Sequence, residues 1–312
     1  MCKDTDAAHN TAMERAQQHH DNSTMQVASS DWGPRRKATG GAQPGAERRT
    51  LQAAVNWYPG HMAQAMRKLG ERLSIVDVVI EVRDARLPRS SANPALDRLA
   101  ANKARVVVLG REDLADPHAT REWLTWLERN GYTAVAVNAK DQGATKRVAA
   151  ALAALSRGPG TTRAMVVGIP NTGKSTVING LLRRTAARAE DKAGVTRSLQ
   201  WFRVQPKLEV MDTPGILVPK IATPDAQWQL ALTGALPRER FDAEEIIDAF
   251  VAWAHMYRPS ASVPALQEFA QARGFARRGG EVDLHNAAGA FLRDFNDGKF
   301  GRITFERPER AP

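Results

Sequence analysis

The chain has 312 residues, 43% of them hydrophobic, which is enough for one or two compact domains. No run approaches the roughly 20 apolar residues of a membrane-spanning helix, and Cys2 is the only cysteine, which excludes an internal disulfide and a cysteine metal cluster. The net charge of +10 favours a polyanionic partner such as RNA or DNA, and this excess lies in residues 51–215, which carry +10 while the segments before and after carry +1 and −1.

Residues 1–50 lack hydrophobic periodicity and are rich in small and polar residues. This composition predicts a disordered N-terminal extension. A targeting peptide is the alternative. Asp4, Asp6, Glu14 and Asp21 argue against it, because transit sequences are normally poor in acidic residues.

Residues 51–218 alternate short β-branched runs with helical stretches. The runs are residues 78–82, 105–109, 134–137, 164–167 and 208–211, and the helices are expected at 62–73, around Trp123 and Leu127, in an alanine-rich stretch up to Leu155, and from Lys174. This alternation predicts an α/β domain with a mostly parallel sheet buried on both faces. Ligand-binding loops are then expected at the carboxyl ends of the strands.

Residues 219–312 have a different pattern and predict a small helical C-terminal domain. Amphipathic helices are expected at residues 242–257, 263–273 and 281–297, and residues 302–305 are the one further strand expected.

A phosphate-binding loop follows the run at 164–167. Gly168 to Ser175 read Gly-Ile-Pro-Asn-Thr-Gly-Lys-Ser and fit the pattern G-x-x-x-x-G-K-[ST]. The glycines let successive backbone N–H groups face phosphates, and the following helix adds its positive dipole end. Lys174 is expected to reach the β and γ phosphates, and Ser175 to ligate Mg²⁺. The nucleotide-binding residues expected in this loop are Asn171, Thr172, Gly173, Lys174, Ser175 and Thr176.

Three further positions complete a triphosphate site. Asp212, at the end of the run 208–211, is expected to hold the Mg²⁺ shell, and Gly215 to turn its N–H to the γ-phosphate. Thr196 lies between the two motifs and offers a hydroxyl to Mg²⁺ when the γ-phosphate holds its loop closed. The alternative for Asp212 is an ordinary turn that begins with an aspartate.

The loops that recognise a guanine base precede the phosphate loop in this chain. Gly110-Arg111-Glu112-Asp113 occupies the position of the usual Asn-Lys-x-Asp motif, and Asn138-Ala139-Lys140 that of the following Ser-Ala-Lys-like motif. Nothing after Gly215 fits either motif. The order therefore predicts a circularly permuted GTPase domain.

With these motifs the chain resembles the YlqF-type permuted GTPases, the ribosome biogenesis GTPase A family with its mitochondrial and plastid relatives. The motifs that carry the resemblance, over about residues 55–307, are Trp57-Tyr58-Pro59-Gly60-His61-Met62, Asp84-Ala85-Arg86-Leu87-Pro88, the phosphate loop, Asp212-Thr213-Pro214-Gly215 and Gly298-Lys299-Phe300-Gly301-Arg302-Ile303.

The resemblance implies a function and a set of partners. The expected activity is hydrolysis of GTP to GDP and phosphate during late maturation of the large ribosomal subunit, slow alone and stimulated by the ribosome. The helical C-terminal domain is expected to touch rRNA, and the chain to be a monomer. The expected compartment is a chloroplast or mitochondrion, with the bacterial cytoplasm as the alternative.

The base-recognition motif departs from the family. Gly110 and Arg111 replace the usual Asn and Lys, while Asp113 remains to accept from the guanine N1–H and N2–H₂. Arg111 could stack its planar guanidinium on the base. Guanine preference is expected to survive but to weaken, and a purine-tolerant NTPase is one alternative function.

The catalytic water has no polar residue at its usual place, because Ile216 follows the Asp212–Gly215 motif where many GTPases have Gln. The family resemblance makes His61 the candidate for this task, and its alternative is a structural residue after a Pro-Gly turn. Asn171 resembles an asparagine that supports K⁺ binding, and its alternative is a loop asparagine that bonds its own backbone. A nucleotide-binding RNA scaffold with little turnover is the other alternative function.

Arg83, Arg86 and Arg89 cluster around the Asp84 motif. Phosphate binding and a salt-bridged loop are both open for them.

Overall fold

The computed structural model describes most of the chain from residue 60 onward. It covers residues 60–138, 143–155, 160–186, 201–213, 221, 223–259, 262–277, 279 and 281–309, without the side chains of 60–66, 144–145 and 183–186. The predicted extension, residues 1–50, lies outside the described part. The described residues 60–309 belong to one compact unit, and the domain boundary at residues 218 and 219 stays a prediction.

Six strands form a single sheet in the order β3-β2-β1-β4-β6-β5. They are β1 (Val78–Asp84), β2 (Ala104–Gly110), β3 (Thr133–Val137), β4 (Thr162–Val167), β5 (Trp201–Gln205) and β6 (Leu208–Asp212). Every neighbouring pair is parallel except β5 and β6. The predicted mostly parallel sheet is confirmed. Strand β5 was not predicted, because only Val204 in this edge strand is buried, so it lacks a continuous apolar run.

Helices cover both faces of the sheet, so most residues of its inner strands are buried. They are α1 (Gly60–Leu73), α2 (Ala95–Leu99), α3 (Pro117–Arg129), α4 (Ala144–Ala154) and α5 (Lys174–Ala186). Leu152 of α4 and Leu181 of α5 pack with Ile80 and Val166 on one face. Helices α1, α2 and α3 pack on the other face, where Leu69 lies against Met165 and Trp123 against Leu109.

The C-terminal part is helical, as predicted. It contains α6 (Pro224–Leu232), α7 (Ala243–Tyr257), α8 (Leu266–Ala272) and α9 (Leu284–Asn296). Asp242 and Asp283 cap α7 and α9 by accepting from backbone N–H groups, which fixes where these helices begin. Helix α6 was not predicted, because its buried residues Trp228, Leu230 and Leu232 face several directions and leave no amphipathic pattern.

The prediction of a strand at residues 302–305 is wrong. Ile303 donates its N–H to Leu114 O at 2.9 Å and Phe305 to Arg86 O at 3.0 Å. The alternating donors resemble an edge strand, which explains the sequence pattern. The two acceptors belong to separate loops, so no ladder forms and the segment is an irregular tail on the loops after β1 and β2.

Two of the three arginines near Asp84 are buried in ion pairs. Arg83 pairs with Glu81 at 2.9 Å and Arg86 with Asp84 at 2.8 Å. Since both side chains are paired inside the protein, the salt-bridged alternative holds for them. Arg89 is half-exposed and lies 3.3 Å from Glu309. No helix among the described residues is both long and apolar enough to cross a membrane.

Candidate nucleotide-binding site

The phosphate loop connects β4 to α5 at the carboxyl edge of the sheet. A Cβ atom on Gly168 would lie 2.3 Å from Val82 O of the neighbouring strand β1, so only glycine allows the chain to leave β4 at this point. Helix α5 begins at Lys174 and directs its N-terminus at the loop. The structure thereby brings the loop N–H groups and the positive end of a helix dipole together, which suits a phosphate.

Lys174 lies within this loop and carries a perturbed charge. Its Nζ donates to Ile169 O at 2.7 Å. Burial lowers the pKa of the Lys174 ammonium to about 8, against the opposing attraction of Asp212. Phosphate oxygens at this place would add negative charge beside the ammonium, so binding of an anion favours the protonated lysine.

Asp212 ends strand β6 beside the phosphate loop. It pairs in register with Val166 of β4, and the next residue, Thr213, donates its hydroxyl to Val166 O at 2.6 Å. Although solvent reaches Asp212, partial burial raises the pKa of its carboxyl group, and the Lys174 ammonium opposes that rise. A carboxylate here and the hydroxyl of Ser175 in the first turn of α5 are the hard oxygen ligands that Mg²⁺ prefers.

The loop of residues 110–113, called here the base loop, lies directly against the phosphate loop. A Cβ atom on Gly110 would lie 2.2 Å from Thr172 O, and Arg111 Nε donates to Asn171 O at 2.8 Å. Arg111 has a left-handed backbone with φ of 57°, and a short 3₁₀-helix, Glu112–Leu114, carries Asp113. Burial lowers the pKa of the Arg111 guanidinium, and the positive charge of Arg86 adds to this effect.

The structure places the remaining expected residues unequally. Asn138 follows β3, the neighbour of β2, and so lies at the same edge of the sheet. His61 lies in the first turn of α1, and its side chain is outside the described part. The other expected positions outside the described residues are Ala139, Lys140, Thr196, Gly215 and Ile216.

Asn171 joins the phosphate loop to the helical part of the chain. Its Nδ2 donates to Gly234 O, after α6, at 2.6 Å, and its backbone is left-handed with φ of 60°. The alternative of a bond to its own backbone therefore does not describe its side chain. Binding of K⁺ by Asn171 stays a prediction, in which Oδ1 would be the ligand atom.

Comparisons with known proteins identify the family. Ribosome biogenesis GTPase A of Bacillus cereus is 36% identical over 279 residues, which cover 82% of this chain and 94% of that relative. The chain belongs to the ribosome biogenesis GTPase A family. The protein of this family from Thermotoga maritima is 34% identical over 82% of this chain and 95% of its own length. A plant relative, Short integuments 2, mitochondrial, from Arabidopsis thaliana, is 35% identical over 64% of this chain and 56% of its own length.

Solved structures and a family model agree with this membership. The GNP-bound YlqF from T. maritima matches with a TM-score of 0.64 and 31% identity over 80% of this chain and all of that one. A family model described as 50S ribosome-binding GTPase matches residues 163–253. This match takes in the phosphate loop and Asp212 but not the base loop, which comes earlier in the chain, as the predicted permuted order requires. The chain is therefore a GTPase of ribosome biogenesis GTPase A type.

Proposed function

We propose that this ribosome biogenesis GTPase binds GTP with Mg²⁺ at the phosphate loop and hydrolyses it while bound to a precursor of the large ribosomal subunit. The observation that carries the proposal is the convergence of the phosphate loop, Asp212 and the base loop at one edge of the sheet. Contacts at Gly110 and Arg111 hold the base loop against the phosphate loop. A base and its phosphates bound together would span these two loops.

The metal and catalytic roles follow from this placement. Ser175 and Asp212 supply oxygen ligands for Mg²⁺, and Thr196 adds a third when GTP closes its loop. His61 is the group that orients the attacking water, because Ile216 offers no polar atom there. Asn171 adds a K⁺ ligand near the phosphates. A scaffold with little turnover remains the rival function that the Ile216 position favours.

The ribosomal part of the proposal rests on family membership and on charge. The family model's description names the 50S ribosome, and the excess of +10 lies in residues 51–215. rRNA is the polyanion that such a surface would meet on a precursor of the large subunit. The proposal includes a monomeric protein that is located in an organelle. The mitochondrial plant relative supports this compartment, whereas the bacterial relatives match a larger share of the chain. A fluorescent fusion of residues 1–50 that remained in the cytosol of plant cells would refute the organellar part.

Replacement of Lys174 tests the site. Lys174→Ala removes the charge that faces the β and γ phosphates, so a fluorescent GTP analogue is expected to lose tight binding. Lys207→Ala is the matched control, because Lys207 is exposed in the turn between β5 and β6. Its carbonyl accepts from the N–H of Thr162, the first residue of β4, so it lies at the end of the sheet away from the phosphate loop. Equal affinity of the Lys174→Ala variant and the parent would refute the site.

Measurement of turnover separates the proposed enzyme from the scaffold. We expect GTP hydrolysis by the parent to rise when purified large ribosomal subunits are added, and the Lys174→Ala variant to show no such rise. Binding without any stimulated hydrolysis would favour the scaffold.

A further inference from the structure

The C-terminal tail, residues 302–309, contacts the residues that directly follow Asp113. Ile303 N–H donates to Leu114 O at 2.9 Å. The Asp116 N–H donates to Thr304 Oγ1 at 3.1 Å. Leu114 and Asp116 lie one and three residues beyond Asp113, so the tail holds the backbone immediately after the base loop.

Thr304 also links this segment to the loop that follows strand β1. Its hydroxyl donates to Ala85 O at 3.3 Å while it accepts from Asp116. One side chain thus uses its donor and its acceptor on two loops that leave adjacent strands. Glu306 reinforces the contact, since its carboxylate accepts from Arg89 N at 2.6 Å and Ser90 N at 3.0 Å.

The turn before the tail is shaped for the same contact. Gly298 and Gly301 have positive φ values of 80° and 83°, which redirect the chain after α9. A Cβ atom on Gly298 would lie 2.8 Å from Leu114 Cδ2. Phe305 anchors the tail in the helical core, with its ring centroid 5.4 Å from that of Trp228.

We propose that the C-terminal tail positions the base loop for guanine recognition, with Thr304 as a positioning residue for Asp113. The inference rests on the proposed function, in which Asp113 reads the base. Gly110 has no side chain that could brace this loop from within, so its position depends on contacts from outside. Arg111 supplies one such contact through the phosphate loop, and the tail supplies further contacts on the far side of Asp113.

Base selectivity tests this role. Thr304→Val keeps the side-chain shape and removes the hydroxyl, so GTP affinity is expected to fall about 3- to 10-fold, the effect of one lost hydrogen bond. ATP offers no N1–H or N2–H₂, so its inhibition constant in competition with a fluorescent GTP analogue is expected to stay unchanged. Thr304→Ser keeps the hydroxyl and is expected to retain the parent's GTP affinity within about 2-fold. Thr125→Val, on the exposed face of α3, is the matched control.

The outcomes separate this inference from the function on which it rests. A parent that binds ATP as tightly as GTP would refute guanine recognition itself. A parent that prefers GTP, with Thr304→Val showing the same preference, would overturn only the positioning role. A parallel loss of GTP and ATP, or a Thr304→Ser variant as weak as Thr304→Val, would also overturn it. If Thr304→Val fails to fold in thermal unfolding, Thr304→Ala removes the same hydroxyl with less bulk.

Discussion

Lys174 is the residue whose charge depends most directly on the phosphate site. Burial favours its neutral form and lowers its pKa to about 8, whereas a lysine in an unfolded chain has a pKa of about 10.4. Between these two values the unfolded state binds more protons than the folded state. This residue's contribution to the free energy of unfolding therefore rises as the pH rises through that window.

Nucleotide binding is expected to reverse this shift. The phosphates stabilise the ammonium, so a titration of the Lys174 side chain by NMR should give a midpoint of about 8 in the free protein and a midpoint above about 10 with GDP and Mg²⁺. Lys174→Arg assigns the resonance, because only that signal disappears. A midpoint near 10 without nucleotide would contradict the burial of this amine.

Asp113 is the residue whose substitution should change the base that is preferred. Asp113→Asn replaces one acceptor with an amide donor, which suits the carbonyl at position 2 of xanthine and repels the guanine amino group. We expect competition binding to show a shift from GTP toward XTP. Glu112→Gln is the matched control, since it removes the neighbouring charge without changing the expected reader. Unchanged selectivity in Asp113→Asn would place base recognition elsewhere.

The roles of residues in local motifs could be predicted from the sequence, whereas the roles of residues that make long-range contacts could not. The phosphate loop from Gly168 to Ser175 was readable because its chemistry depends on residues adjacent in the chain. The bond from Asn171 to Gly234 and the contact of Thr304 with Asp116 join residues far apart in the sequence. No local sequence pattern indicates that such residues are in contact. The motif from Gly298 to Ile303 was visible as a resemblance, but its contact with Leu114 needed the fold.

At the scale of elements, the base loop and the phosphate loop pack so closely that position 110 of the base loop requires a glycine. A Cβ atom on Gly110 would lie 2.2 Å from Thr172 O, a backbone atom that cannot rotate away. The sequence had indicated that Gly110 replaces the family's usual asparagine at this position. In this structure the two loops lie so close together that an asparagine side chain at this position would require one of them to move.

Gly110→Ala is therefore expected to displace one of the loops. Overpacking of this kind costs about 1–3 kcal/mol, which should appear as a lower free energy of unfolding or as weaker GTP binding by up to about 100-fold if the phosphate loop moves. Gly160→Ala is the matched control, because its Cβ would meet nothing within 4 Å and its backbone φ is not in the left-handed range. Wild-type stability and affinity in Gly110→Ala would refute the close packing.

Elements with a strong periodic pattern were predictable, and those stabilised by their surroundings were not. Strands β1, β2 and β4 are largely buried, and each contains a run of apolar residues, at 78–80, 106–109 and 164–167. Strand β5 pairs only with β6 at the sheet edge, and helix α6 is covered on several sides. Tertiary packing determines both, so neither propensity nor periodicity indicates them.

At the scale of the whole molecule, the basic excess and the folded contacts decide which charges remain for RNA. Arg83, Arg86 and Arg105 are largely buried and pair with Glu81, Asp84 and Asp97. Their three carboxylate partners lie in the same segment, so these pairs add nothing to the net charge of residues 51–215, and the buried cations are not available to phosphates. An RNA-binding surface must therefore consist of the exposed cations of this segment, and these attract RNA through long-range electrostatic forces.

Association with the large subunit is accordingly expected to depend steeply on salt. If 6–10 phosphates are neutralised, raising the salt from about 50 to 200 mM should weaken binding about 10³- to 10⁵-fold, because each contact releases counterions. Sedimentation of the GTP-analogue-bound protein with purified large subunits measures this slope, and fluorescence of the bound analogue at each salt concentration verifies that the site stays loaded. Lys207→Ala and Lys146→Ala, which remove exposed charges on opposite edges of the sheet domain, would each reduce the slope by about one if the residue contacts a phosphate. A complex whose stability does not change with salt would mean that the subunit is recognised through a protein partner and that the basic excess has another cause.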